Sequence, residues 1–321
     1  MNKHRYRVLF SKTLQRFIVT SELAKTTTSG NTERGDLKCG QSSAYFSFYP
    51  SLQSLTFAVF CALGFVSLIS PSAYAETLMI QADSTAAANQ RPVVLQTANG
   101  LPQVNIQTPN DQGLSHNRYS HFDVDTQGAI LNNSRKNTQT QQGGWIQGNP
   151  YLAGGEAKVI LNEVNSNHPS QLKGYVEVAG RKADVIIANP NGIHCQGCGI
   201  MNAERATFTT GKPEIHHGSL DSFKVEKGKV TVEGKGLDNS QTDYTDIISR
   251  SAEINAGVWS KREVNVTTGK NRVTKNNDSV QIIHTTEKEK QSENLPHFAL
   301  DVTHLGGMYA EKIHLIGTEQ G

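Results

Sequence analysis

The chain has 321 residues, 19% of them charged, and a formal net charge of +2 at pH 7. That length holds one large domain or two small ones, and the polar composition excludes an integral membrane protein. The charge balance is also too mild for a nucleic-acid partner, which needs basic residues concentrated on one face.

At the start of the chain, Lys3, His4, Arg5, Arg7, Lys12 and Arg16 form a basic stretch, and the one apolar run follows much later, over residues 55–69. The run is shorter than the ~20 residues needed to span hydrocarbon, and it leads through Pro71 into Ala73-Tyr74-Ala75, a small-x-small site. Charged region, apolar region and cleavage site in this order read as a signal peptide over residues 1–75, cut between Ala75 and Glu76. The alternative is an anchor left in the membrane. The basic part is long for a simple signal. Met1-Asn2-Lys3, residues 6–12 and residues 19–24 resemble the extended signal peptide region of very large secreted proteins of Gram-negative bacteria, here over residues 1–25. The resemblance implies delivery to the periplasm with slowed targeting, leaving the mature chain unfolded for a further export step. Cys39 and Cys61 fall inside the signal. Cys195 and Cys198 stay in the mature chain, where an even pair this close in an oxidising compartment reads as a disulfide.

Residues 76–92 are small and polar without periodicity and are read as a flexible leader, with structure beginning near Val93. Short groups of strand character follow, separated by Gly, Asn, Asp and Pro: residues 104–106, 122–124, 129–131, 159–161, 175–178, 185–187, 206–209, 230–232, 254–258, 264–266, 298–302 and 313–316. No group extends to a helix-length amphipathic pattern, so the protein is all-β. The 28 glycines and 7% aromatic residues fit tight turns and a narrow aliphatic core. They favour a right-handed parallel β-helix, a single-stranded solenoid of the pectin-lyase type with short extra-helical strands and loops, over a sandwich or barrel. Asn recurs at the turns (Asn132, Asn133, Asn149, Asn162, Asn165, Asn189, Asn191, Asn202, Asn255), which suits stacked amide ladders, although Asn marks loops in any fold. No fixed repeat length is visible. Residues 268–296 are nearly devoid of apolar side chains and are expected to loop out, an insertion whose closure entropy grows only logarithmically with length.

Several stretches in order carry a second resemblance: residues 101–110, 113–120 and 122–134, then 149–152, 157–164 and 183–193, and last 299–302 leading into 305–310. Together they resemble the N-terminal secretion domain of two-partner secretion exoproteins, the family of filamentous haemagglutinins, related haemolysins and contact-dependent inhibition proteins. The domain would cover residues 93–321. The resemblance implies a cognate outer-membrane β-barrel transporter as partner, recognising the chain through its periplasmic domains. It also implies downstream repeats that bind host or neighbouring cells, so the domain is expected to be truncated at its C-terminal end. Family members carry Asn-Pro-Asn-Leu and Asn-Pro-Asn-Gly-Ile signatures. The second is complete as Asn189-Pro190-Asn191-Gly192-Ile193, and the first is altered to Asn149-Pro150-Tyr151-Leu152, which puts in doubt any role needing an amide at its third place. Both are turn sequences, with Asn accepting a backbone hydrogen bond and Pro presetting φ. Two readings stand: the motifs shape coil corners, or they contact the transporter.

For Cys195 and Cys198, a zinc site would need further ligands from His194, His216 or His217, and a redox pair would need a helix N-terminus that the following strand does not offer. The third reading is the structural disulfide, and some relatives lack this Cys-x-x-Cys. β-helices also host carbohydrate-active enzymes, for which Asp123, Asp125, Glu177, Asp184, Asp243 and Asp246 are the candidate acids. No Ser/His/Asp set, phosphate loop or His-x-x-x-His spacing accompanies them. The reading is a non-enzymatic export module needing no metal or cofactor. A surface carbohydrate-active enzyme and a stand-alone adhesin fragment are the alternatives.

Overall fold

A computed structural model of the chain describes residues 6–11, 16–21, 79–283 and 299–319. The apolar run at 55–69 and the cleavage site Ala75–Glu76 lie outside the described residues. The chain divides into two units, residues 1–72 and 73–321. In the first, strands β1 (Tyr6–Ser11) and β2 (Arg16–Ser21) pair antiparallel, Tyr6 opposite Ser21.

The second unit is a parallel β-helix with three faces. On the first face, strands Leu114–Phe122, Val159–Val164, Asp184–Ala188, Arg205–Thr209, Tyr244–Ser249, Glu263–Thr268 and Lys312–Gly317 lie side by side in parallel. The second face stacks Ser170–Leu172, Ile193–Cys195, Lys229–Val232, Ser251–Ile254 and Leu300–Val302. The third runs Pro102–Asn105, Ala129–Asn133, Tyr175–Gly180 and Gly199–Met201, and after a bridge from Cys198 to Leu237 continues through Leu237–Asn239, Gly257–Ser260 and Gly307–Tyr309. Each coil climbs from one face to the next by a parallel crossover, the connection that is right-handed in nearly all proteins.

Register explains the core. Val185 and Ile187 point inward and are 1% exposed, in columns with Ile160 and Ala206 and with Asn162 and Phe208. Burying an aliphatic side chain of this size contributes about 1.5–3 kcal/mol. Their neighbours Ile186 and Ala188 point outward yet are also buried, because an antiparallel sheet covers that side. It is built from Lys212–His216, Ser219–Val225, Asn271–Thr274 and Val280–Ile282, and Phe223 and Val225 supply its underside. A strand buried on both sides reads as a continuous apolar run, as residues 185–188 do. The expected loop at 268–296 thus includes strands.

Three expectations need correction. The leader is not free of structure: Ile80–Ala82 pairs antiparallel with Leu114–Phe122, and residues 88–90 form a 3-10 turn. Ile80 packs into the solenoid core, but a strand of three residues is too short for periodicity to register it. The group 254–258 is two strands on different faces, Ser251–Ile254 and Gly257–Ser260, separated at Asn255–Ala256. The amide ladder is largely replaced by clips. Asn132 Nδ2 does donate to Asn105 Oδ1 at 2.9 Å, but Asn162, Asn189 and Asn202 donate instead to carbonyls of an adjoining coil: Ile186, His168 and Val178.

Candidate functional site

The two Asn-Pro motifs sit at coil corners. Asn149 opens a 3-10 turn, Pro150–Leu152, as its N-cap, and Pro150 occupies the first turn, where a missing N–H leaves no hydrogen bond unmade. The Asn149 side chain is 3% exposed. Its Oδ1 accepts from the Tyr151 backbone N at 3.0 Å, and its Nδ2 donates to the carbonyls of Ile106 at 2.9 Å and Asn132 at 3.0 Å. The turn drives Leu152 into the core, where it is fully buried. Tyr151 is half-buried, and its carbonyl accepts from the Thr108 hydroxyl at 2.8 Å.

Asn189 follows strand Asp184–Ala188 and is wholly buried. Its Oδ1 accepts from the Asn191 backbone N at 3.0 Å, and its Nδ2 donates to the His168 carbonyl at 3.0 Å and the Ser170 hydroxyl at 3.1 Å. The Gly192 N–H closes the turn onto the Asn189 carbonyl at 3.0 Å. Gly192 has φ +119°, and a Cβ there would lie 2.9 Å from the Lys229 carbonyl oxygen, so only glycine fits without strain. Asn191 donates its side-chain amide to the Ser166 carbonyl and accepts from Lys227 Nζ at 2.8 Å. Ile193 then enters the core at 1% exposure.

In both corners the first Asn caps the turn and stitches coils. The third residue is engaged by its backbone N, which Tyr151 supplies as well as Asn does, so the altered letter leaves the cap intact.

Cys195 and Cys198 are joined by a disulfide with Cα atoms 5.4 Å apart, both buried, across the turn between the second and third faces. Among the described residues no group of three or more His, Cys, Asp or Glu converges to hold a metal ion. The candidate acids do not converge on one another. Asp123 accepts from the Gln171 N at 2.8 Å and Asp125 from the Thr126 N at 2.7 Å. Glu177 holds the amides of Gln141 and Gln142 at 2.8 and 2.9 Å. Asp243 lies 3.5 Å from Lys261 Nζ, and the fully buried Asp246 accepts from Arg205 at 2.7 Å, from Thr207 and from Asn265. Burial pushes the Asp184 carboxyl up, with Lys275 and Arg205 opposing it. Clamps that the sequence reading did not single out as a site include Asn133, which takes the Ala157 N–H and donates to the Ala157 and Arg181 carbonyls. An Asn at the end of a strand, directly before a turn, is the signal that marks it.

Comparison with known proteins resolves the geometry into a family. The profile of the TPS secretion domain matches residues 78–321, and that of the extended signal peptide of type V secretion systems matches residues 1–48. The chain belongs to the TPS secretion domain family. It is similar to Toxin CdiA of Yersinia pestis, 47% identical over 321 residues, which are all of this chain and 9% of that protein. It is also similar to tRNA nuclease CdiA-2 of Burkholderia pseudomallei, 40% identical over 324 residues and 10% of its length. The chain thus spans about a tenth of these relatives. Among solved structures, a filamentous hemagglutinin secretion domain superposes with a TM-score of 0.66 at 32% identity, covering 75% of this chain and 80% of that one. An extended signal peptide followed by a TPS domain marks export through the periplasm of a Gram-negative bacterium to the surface or medium. The TPS match reaches back to residue 78, so it takes in the strand Ile80–Ala82.

Proposed function

We propose that residues 78–321 act as a non-catalytic export module, engaged in the periplasm by a cognate outer-membrane transporter before folding, and that the two Asn-Pro corners serve export by shaping the fold. The secretion-domain match over that whole segment carries the first part. Short strands with unpaired edges suit recognition by strand addition, and coil-by-coil folding outside helps draw the chain through. The saturation of both amides supports the second part: Asn149 and Asn189 spend their side-chain donors and acceptors within the chain and are buried, so in the folded domain neither is presented to a partner. The candidate acids are likewise engaged by local backbone and cations, which supports a non-catalytic role.

Secretion of Asn189→Ala into the medium, measured beside thermal melting of the purified domain, tests this reading. Export and melting temperature are expected to fall together. Export lost at an unchanged melting temperature would assign the amide to the transporter instead.

A further inference from the structure

On the outer side of the third face, one column of residues carries aromatic rings. Tyr175 stands opposite Gly199, Asp238 opposite Trp259, and Trp259 opposite Tyr309. The aromatic rings lie flat on glycine backbone. A Cβ at Gly199 would fall 2.5 Å from the Tyr175 ring, one at Gly257 2.2 Å from the Trp259 ring, and one at Gly236 2.9 Å from that ring. Trp259 is further held by stacking on Tyr309, with ring centroids 5.6 Å apart and planes 11° from parallel. Between Tyr175 and Trp259 the column carries no ring, and there a cavity of about 460 Å³ opens over the turns at Gly197-Cys198 and Lys235-Gly236. Its size is that of a small-molecule site, apolar walls with a few placed polar groups.

Those polar groups are Asp238, Ser240 and Lys235. Asp238 receives the Tyr175 hydroxyl at 2.8 Å on one oxygen and the Ser240 N at 3.0 Å on the other. The Ser240 hydroxyl bonds this carboxylate as well, so of its about four acceptor sites about one stays open to the cavity. Burial raises the Asp238 carboxyl, but the Ser240 and Tyr175 hydrogen bonds outweigh it and hold the group below its ordinary range, ionised at neutral pH. Burial, with the bond to Asp238, pushes the Tyr175 hydroxyl up to about 12, so it stays a donor. Lys235 on the wall disfavours a cationic ligand, and the central carboxylate disfavours an anionic one. What fits is an uncharged molecule with flat apolar faces and a rim of hydroxyls. Rigid strands hold every ring in place beforehand, which lowers the ordering cost of binding.

We propose that this cavity binds a neutral hexopyranose unit of a surface glycan, seated against the Tyr175 and Trp259 rings with its hydroxyls bonded to Asp238, Ser240 and Lys235. The site is separate from the export role, and nothing in the corners bears on it.

The chain has two tryptophans, and Trp145, on the hairpin Thr138–Thr140 with Gly144–Ile146, is 70% exposed. Trp145→Phe therefore leaves Trp259 as the sole reporter with the fold undisturbed. Cellobiose, lactose, maltose and methyl α-mannoside are titrated against this variant while Trp259 emission is followed, with tetramethylammonium as the cationic control. At least one sugar is expected to give a saturable change and tetramethylammonium none. Asp238→Asn and Tyr175→Ala in the same background should weaken the binding about tenfold, as loss of a hydrogen bond to a charged group or of a ring face does. Melting curves identify any variant that fails to fold. For such a variant Lys235→Ala, on the outer turn, takes its place with an expected loss of about fivefold. No saturable response to any of the four sugars overturns the proposal, as does binding that is indifferent to all these substitutions. Tighter binding of tetramethylammonium than of every sugar would also overturn it.

Discussion

At the Asn149 corner the side-chain amide gives both its protons to main-chain carbonyls, those of Ile106 and Asn132, whereas at the Asn189 corner one proton goes to the His168 carbonyl and the other to the Ser170 hydroxyl. The first corner turns through a 3-10 helix into Leu152, and the second turns through Gly192 at positive φ into Ile193. Two local sequences thus reach one mechanical result, a buried amide that caps its own turn and ties it to an adjoining coil. The common requirement is a side chain with one acceptor and two donors in the first position. The third position needs only a backbone N–H, and so tolerates both Tyr and Asn.

The comparison breaks most sharply on exchange of amide for carboxylate. Asn149→Asp places a charge against two carbonyls that cannot donate, and should cost about 4 kcal/mol in urea unfolding of the domain. Asn189→Asp should cost about half as much, because the Ser170 hydroxyl turns and donates to the new oxygen. Equal losses would mean that the Ser170 contact is immaterial. Replacement by alanine should remove this asymmetry: Asn149→Ala and Asn189→Ala each remove three hydrogen bonds and are expected to lose about 3 kcal/mol by the same measurement.

Gly192→Ala probes only the second corner and, with φ at +119° and the Lys229 carbonyl 2.9 Å from the new methyl, should lower stability by about 2 kcal/mol. A melting temperature equal to that of the parent would show that the turn relaxes freely. The smallest effect belongs to Tyr151→Asn, which restores the usual family letter. Stability should change by no more than about 0.5 kcal/mol, since the N–H that Asn149 caps is the same in both.

Much of this architecture was legible in the sequence. The groups 159–161, 185–187 and 264–266 lie within first-face strands, and the turn chemistry of Asn, Pro and Gly at 149–152 and 189–193 fixes corners. The repeat was not legible, because first-face strands begin at 114, 159, 184, 205, 244, 263 and 312, with the covering sheet inserted twice. Strands such as Ser170–Leu172 and Leu237–Asn239 also escaped notice, since with so few residues and polar ones among them no alternation can develop. The family could be named from separated motifs, while the aromatic column at 175, 259 and 309 could not be seen, because its members are brought together only by register. The recurring pattern Gly-x-aromatic, in Gly257-Val258-Trp259 and Gly307-Met308-Tyr309, is the signal that could have pointed to it.

One detail of the leading end has a wider effect. Ile80–Ala82 on the first face and Val93–Gln96 on the third run against the direction of all the strands stacked behind them. At that rim the edges change from parallel to antiparallel pairing, so a strand arriving from another molecule in the stacking direction does not continue the parallel register of the coils.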